Sequence, residues 1–476
     1  MRLRSRSGRD SGVQPAGPAI PQRIHLVGAG GIMMSGIGEI LLARGHTITG
    51  SDLAPSEHVE RLRARGATIY GGHAAANLGL TDLVVATAAA RNDNPEIASA
   101  RQRSIPVILR AEMVQRLISD RRVLAIAGTH GKTTTTTLAA LMTVRGGLDP
   151  LVLVGGDSPE LGGNARDGKG DVAVVEADEY AEAFLQYEPR LALITNVEPD
   201  HLDYYGTAQR LFDAFRAFAA RVVPDGTLIA CADSPQADAI AAERRRAGAR
   251  VERYGVDADG EWRALRLRLN DLGGYDFIAT LEGTELGRVS LRVPGRHNVA
   301  NALGALALAM RAGVDFTRAA QAAQQFTGVA RRFQFVGEAA GVTLMDDYAV
   351  HPTEVRATLS AARQRFAGQR LVACFQPHTY SRSTYLLDGF RHCFEGFDAL
   401  YVLRTYAARE RADAGMDARA LAAEIAGPPA VYVDSFEAAV DRIAPELVLG
   451  DVFFTLGAGD VTELGPLLLA RLGGRP

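Results

Sequence analysis

Between residues 22 and 118, short apolar runs alternate with stretches of helical spacing. Arg23–Gly28 (RIHLVG) reads as a buried strand running into a glycine turn, Ile32–Arg44 as a helix, and Thr47–Thr49 as a second strand ending at Ser51–Asp52. Asp82–Thr87 and Pro106–Leu109 read as further strands. This alternation predicts a parallel sheet with helices on its faces. A second unit begins near Arg121. There the strand Val123–Ala127 (VLAIA) leads through a glycine loop into a Thr-rich helix start, and Val172–Glu176 and Leu191–Asn196 follow as buried strands. Residues 260–293 change to short alternating strands (LRLRL, VSLRV) with glycine turns, which predicts a small antiparallel addition; a helix over Asn298–Arg311 comes next. A third unit starts near Gly328, with strands at Gly341–Asp346, Arg370–Cys374, Ala399–Leu403 and Val452–Leu456. The expectation is an α/β protein of three domains, over 22–118, 119–328 and 329–476. Each carries a motif at the carboxyl end of a strand, where open α/β sheets bind ligands.

A length of 476 residues fits several cores, and 47% hydrophobic with 22% charged residues fits a soluble globular chain. A formal charge of −3 gives no basic field, which argues against nucleic acid and anionic membrane as partners. The apolar runs fall short of the ~20 residues of a membrane span. Three cysteines make no disulfide framework and point to a reducing compartment, the cytoplasm. Residues 1–21 hold Arg2, Arg4, Arg6 and Arg9 among Gly, Ser and Pro without an apolar segment; they read as a disordered tail rather than a secretory signal. Of the 52 basic residues only Lys132 and Lys169 are lysine. In a chain that uses arginine wherever a cation will do, a retained lysine marks a place where a compact, mobile ammonium is needed.

Lys132 stands in Gly128-Thr129-His130-Gly131-Lys132-Thr133-Thr134, after the strand VLAIA and at the start of a helix. Backbone N–H groups of such a loop, with the helix dipole behind them, form an anion site. Lys132 would reach the β- and γ-phosphates of a nucleotide and the Thr133 hydroxyl would ligate Mg²⁺. The plain alternative is a glycine turn with a solvated lysine; the spacing is shorter than G-x-x-x-x-G-K-[ST], with Ile126 at the first position. Glu176-Ala177-Asp178-Glu179 ends the strand VAVVE, Asn196 ends the next, and Asp200-His201 follows. A strand-end glutamate beside a phosphate loop suits Mg²⁺, against the alternative of an acidic loop. Asn298 and Asn301 fall one turn apart on a helix. Their amides match an adenine edge, or Asn298 simply caps the helix. Gly28-Ala29-Gly30-Gly31-Ile32-Met33, with Asp52 ending the following strand, nearly spells a dinucleotide turn. Met33 stands at the third glycine, and a packing turn is the alternative.

GTHGKTTTT resembles the shortened ATP loop of the Mur ligases, and the resemblance runs from Arg23 to about Gly465. It implies three domains: a Rossmann-like domain for a UDP-linked substrate, a central ATPase-like domain, and a Rossmann-like domain for the amino acid. EADE and TNxExDHxD resemble the family's metal and γ-phosphate segment. Glu176 and Thr133 would then serve a first Mg²⁺ (or Mn²⁺), His201 would lie by a second, and Asn196 would join the substrate site. GxHNxxN implies adenine contact by His297, Asn298 and Asn301, and Arg331 of Arg331-Arg332-Phe333 resembles the arginine that reaches the ATP phosphates. Gly30 and Gly31 would approach the pyrophosphate, Asp52 the uracil end, and Gly72-His73 the nucleotide. The usual first-domain pattern is G-x-G-G-x-G-M-S-G, from which Met33 departs.

Asp346-Asp347-Tyr348-Ala349-Val350-His351-Pro352 and Phe375-Gln376-Pro377-His378-Thr379-Tyr380-Ser381-Arg382 resemble DDYAHHP and FQPHxYSR, found in the branch that couples L-alanine to UDP-N-acetylmuramate. On that likeness Tyr348 and His351 would border the amino acid, with His378 near them. Arg382 would hold a substrate carboxylate or phosphate with its planar fork. Val350 replaces a second histidine. The implied reaction passes through an acyl phosphate, with Lys132, Glu176, His201 and His351 as its catalytic residues, in a monomer or weak homodimer. The branch that attaches a whole tripeptide to the same sugar nucleotide shares EADEY, but its FFDKRSKF is here Ala183-Phe184-Leu185-Gln186. Folylpolyglutamate and cyanophycin synthetases fit the first domain less well, and a dehydrogenase would leave the phosphate loop idle. A nucleotide-binding regulator would release no phosphate in response to an acceptor.

Overall fold

The computed structural model describes residues 19–88, 90–91, 93–408 and 410–473. The expected tail therefore lies, as far as residue 18, outside the described residues. The chain forms two compact units. One holds the residues up to Val123 with 149–151 and 167–173, and the other holds the rest.

The first unit is built on a five-stranded parallel sheet in the order Thr68–Gly71, Thr47–Asp52, Arg23–Val27, Leu83–Ala86, Val107–Leu109. Leu26, Val27, Val84 and Val85 are fully buried, as expected of central parallel strands covered on both faces. Gly31 caps the helix Ile32–Ala43, whose residues from Met33 to Leu41 are buried. Met33 thus serves the packing of this helix.

The second unit carries two sheets. The longer has ten strands and centres on Arg122–Ala127, which pairs in parallel with Leu191–Ile194; Thr227–Cys231 and Arg250–Gly255 continue it. The antiparallel strands expected over 260–293 are present as Trp262–Leu269, Tyr275–Leu281 and Thr284–Ser290. They pair antiparallel with one another, and Trp262, in parallel register with Tyr254, joins them to the same sheet. The helix Lys132–Arg145 packs on Arg296–Ala312. A run of five threonines is a poor helix former. Here Thr136 and Thr137 donate their hydroxyls to the Lys132 and Thr133 carbonyls at 2.8 Å, and the small buried face of the partner helix admits them. Packing, rather than propensity, holds this helix.

The third sheet runs Gln334–Ala339, Val342–Asp347, Val452–Leu456, Leu371–Phe375, Ala399–Leu403, Ala430–Val433, parallel except for the first pair. Successive residues of Leu371–Phe375 face opposite layers. Leu371, Ala373 and Phe375 join Phe390, Phe394 and Phe454, while Val372 and Cys374 join Tyr401, Phe453 and Leu468.

Candidate active site

Strand Arg122–Ala127 ends at Gly128, whose φ is +143°, and a Cβ there would lie 1.9 Å from Thr195 Oγ1. Gly131, at φ +76°, starts the next helix, and a Cβ there would lie 2.5 Å from Asn301 Oδ1. Both positions demand glycine. Asn196 clamps the loop between them: its Oδ1 accepts the His130 N–H at 2.8 Å and its Nδ2 donates to the His130 carbonyl at 3.0 Å. Thr195 donates to the same carbonyl at 2.6 Å. The loop is therefore pre-shaped before any anion arrives.

Lys132 Nζ donates to the Gly128 and Thr129 carbonyls at 2.6 and 3.2 Å and to Glu179 at 2.9 Å. Burial alone would lower its pKa, but the carboxylates of Glu179, Asp178 and Glu176 raise it above the ordinary lysine value. Glu176 accepts from Thr133 Oγ1 at 3.1 Å and from the Gly155 N–H at 2.8 Å. Burial raises its pKa, as it does that of Glu179, with Lys132 opposing in both cases. Three carboxyl groups thus surround one ammonium, a deficit of positive charge that a divalent cation would relieve. Glu176 and Thr133 offer it the oxygen donors that Mg²⁺ prefers. His201 sits at φ +53° with Nε2 3.6 Å from Glu179 and 3.8 Å from Asp200. The structure therefore brings Thr133 together with Glu176, and His201 together with Glu179. The glutamate that links both groups, Glu179, was visible in the sequence only as the last letter of EADE.

A cavity of about 730 Å³ opens beside this loop. It is lined by Thr133, Thr134, Asn196, Asn298, Asn301 and Arg332, among others. His297 also lines it and is exposed. Asn298 does not cap its helix: Gly295 does, and Asn298 donates to the Pro294 carbonyl at 2.7 Å while receiving Asn301 Nδ2 at 3.1 Å. Arg331, expected at the ATP phosphates, does not line this cavity. Its guanidinium is held by Asp346 at 3.0 Å and by the Gly457 and Ala458 carbonyls at 2.6 and 3.3 Å, all in the third sheet's layer. Its neighbour Arg332 faces the cavity instead. Asp347, which sequence reasoning left out, also lines the cavity; burial pushes its pKa up to about 7.

Two of the expected acceptor residues are held by partners within the protein. His351 caps the helix Pro352–Arg365. Its Nδ1 accepts the Thr353 N–H at 3.2 Å, so Nε2 carries the hydrogen and meets the Pro199 carbonyl at 3.3 Å. Both ring nitrogens are thus engaged within the protein. Arg382, expected to hold a substrate anion, holds Asp200: Nε and Nη2 donate to one oxygen at 3.1 and 3.0 Å, and Tyr385 donates to it at 3.0 Å. The remaining Nη1 meets His378 Nδ1 at 2.9 Å. Tyr348 is 37% exposed and lies beneath the guanidinium groups of Arg331 and Arg332 at 5.1 and 4.9 Å.

Between loop and helix lies a cluster that the sequence did not reveal. His130 faces Glu354 at 3.2 Å and Glu198 at 3.5 Å, with the His351 ring 4.6 Å away. Burial opposes a charge on His130, but the two carboxylates raise its pKa to about 9, so it is an imidazolium at neutral pH. A cation between two carboxylates makes this an ionic clamp. Its folded-state pKa lies above the ~6.5 of an unfolded histidine. The stability it contributes is therefore complete below about pH 6.5 and is lost as pH rises through about 9. Urea midpoints measured across that window should fall for the wild-type chain and should fall less for His130→Gln.

In the first unit, Gly30 donates its N–H to Asp52 Oδ2 at 2.8 Å, and the Gly31 N–H meets the Gly28 carbonyl at 3.3 Å. His73 meets Ser51 Oγ at 2.8 Å.

Family models match along the chain: a Mur ligase family catalytic domain over residues 23–122, a Mur ligase middle domain over 126–309, and a Mur ligase glutamate ligase domain over 331–459. A UDP-N-acetylmuramate–L-alanine ligase of Salinibacter ruber is 45% identical over 94% of this chain and 94% of its own. One from Saccharopolyspora erythraea is 44% identical over 95% and 94%. The solved UDP-N-acetylmuramate–alanine ligase of Thermotoga maritima superposes with a TM-score of 0.80 at 28% identity, over 95% of this chain and 99% of that one.

Proposed function

The chain belongs to the Mur ligase family, and we propose that it joins the amino group of L-alanine to the carboxylate of UDP-N-acetylmuramate at the expense of ATP, a step in making peptidoglycan precursors. The observation that carries this reading is the pre-shaped loop with Lys132 among carboxylates, set beside a cavity large enough for a nucleotide. Identity to two alanine ligases across nearly the whole chain supports the choice of substrates.

A carboxylate does not form an amide in water unaided, because the leaving group would be oxide. In the proposed step a carboxylate oxygen attacks the γ-phosphorus, ADP leaves, and the acyl carbon now carries phosphate. The amine nitrogen attacks that carbon, phosphate departs with the bonding pair, and the nitrogen loses a proton. Lys132 is placed to leave Glu179 for the phosphoryl oxygens and offset their charge as the group moves. Mg²⁺, held by Glu176 and Thr133, would supply further charge neutralisation there. Asn298, Asn301 and His297 line the nucleoside end, and Arg332 takes the place first assigned to Arg331. We assign residues 22–118 to the uridine nucleotide, 119–328 to ATP and 329–476 to the amino acid, and place the enzyme in the cytoplasm. Among the described residues, no helix is long and apolar enough to cross a membrane.

Phosphate release from ATP and Mg²⁺ with UDP-N-acetylmuramate is expected with L-alanine and not with the tripeptide L-Ala-D-Glu-meso-diaminopimelate. Release with the tripeptide alone would move the assignment to the tripeptide branch, and release with neither would sink the ligase reading.

A further inference from the structure

At the carboxyl end of the first sheet sits a buried charge that the reaction described above does not use. Glu96, in the first turn of the helix Pro95–Gln102, is fully buried. Burial works against its charge, but His25, Ser51 and Asn77 hold its pKa down to about 2. Oε1 accepts from Asn77 Nδ2 at 2.7 Å and from the Ala74 N–H at 3.4 Å. Oε2 accepts the Ser51 hydroxyl at 2.6 Å. His25, also fully buried, faces Oε1 at 3.5 Å and holds Thr49 Oγ1 through Nδ1 at 2.8 Å. His73 Nδ1 lies 2.8 Å from Ser51 Oγ and 3.3 Å from Glu96 Oε2.

A hydroxyl has one hydrogen. Ser51 gives its hydrogen to the carboxylate, so toward His73 its oxygen can only accept, as can the carboxylate. Nδ1 of His73 must therefore carry the ring hydrogen. In the neutral ring this leaves Nε2 a bare acceptor. Nε2 has no hydrogen-bond partner among the described residues, and the side chain is 19% exposed. It stands just past the end of the strand Thr68–Gly71, on the side where parallel sheets take their ligands.

We infer that Glu96 and Ser51 fix the tautomer of His73 so that its Nε2 accepts the imide N–H of a uracil ring, selecting uracil over cytosine. The inference rests on the reading that this unit holds the uridine nucleotide. Uracil presents an N–H at position 3, whereas cytosine presents a bare nitrogen there, and two acceptors placed face to face repel. Glu96 is a positioning residue in this scheme, acting through Ser51 and His73.

The test uses calorimetric titration of the full chain with UDP, N3-methyl-UDP and CDP. Nitrogen-15 spectra of the histidine rings, with His73 identified by its loss in His73→Ala, complete it. The wild-type chain is expected to bind UDP about 10- to 100-fold more tightly than either analogue and to show His73 protonated on Nδ1 alone. In His73→Ala and in Glu96→Leu the preference should shrink to within about twofold, with ATP affinity unchanged. Should Glu96→Leu not fold, the wild-type chain and His73→Ala still decide the matter. Equal binding of the three nucleotides, a preference retained in His73→Ala, or a hydrogen found on Nε2 would overturn the inference and leave the UDP site standing. Absence of UDP binding would overturn the nucleotide reading and the inference with it.

Discussion

Lys132→Arg is expected to lower kcat by about a thousandfold while leaving the fold intact. Elsewhere in this chain the cations are almost all arginine, so the exchange is mild in composition. At this position it is severe. The ammonium sits between two loop carbonyls and Glu179 at 2.6–3.2 Å. A planar guanidinium cannot converge three donors on that point, nor swing as a single charge from Glu179 to a moving phosphoryl group. Single-turnover phosphate release would check the chemical step and circular dichroism the fold. A variant within tenfold of wild type would mean that a positive charge of any shape suffices.

The second large effect is on stability. Arg382→Ala should destabilise the second unit by about 3–5 kcal/mol, because it strands Asp200 without its partner in a buried place. The two side chains are 7% and 9% exposed, and Arg382 holds the pKa of Asp200 well below the usual carboxylate range, against the effect of burial. Arg382→Met combined with Asp200→Leu should recover most of the loss, since it removes both charges together. Urea unfolding of both variants beside the wild-type chain measures this. If the double variant is as unstable as the single, the cost lies in packing rather than in the stranded charge.

Much of this was legible in the sequence for a definite physical reason. Central parallel strands are buried on both faces and read as continuous apolar runs, so RIHLVG, VLAIA, VAVVE and LVACF stood out. Of two strands that escaped notice, one lies at a sheet edge and the other is interrupted by glycine. In Gln334–Ala339 only Gly337 and Ala339 are buried, and Leu151–Ser158 carries Gly155 and Gly156 where Glu176 and Thr133 approach. The loop GTHGKTT was legible because backbone geometry and side chains are specified together in one short segment. Arg331 and Arg332 were not separable, since only the turn between them, with Arg331 at φ +61°, decides which faces the cavity. Glu198, Glu354 and His130 meet across 224 residues of chain, and Glu96 reaches His25 across the first sheet. Sequence spacing carries no trace of such meetings. His351 and Arg382 were found by resemblance, but whether their polar atoms are free is set by Thr353, Pro199 and Asp200, which only the fold brings to them.

The most direct measurement uses UDP-N-acetylmuramate carrying oxygen-18 in its carboxylate, turned over with ATP, Mg²⁺ and L-alanine. Phosphoryl transfer to the carboxylate sends one of its oxygens away with the phosphate, so the released phosphate should carry one oxygen-18. Phosphate free of the label, with the displaced oxygen found in AMP or in water, would contradict an acyl phosphate and with it the role given to Lys132.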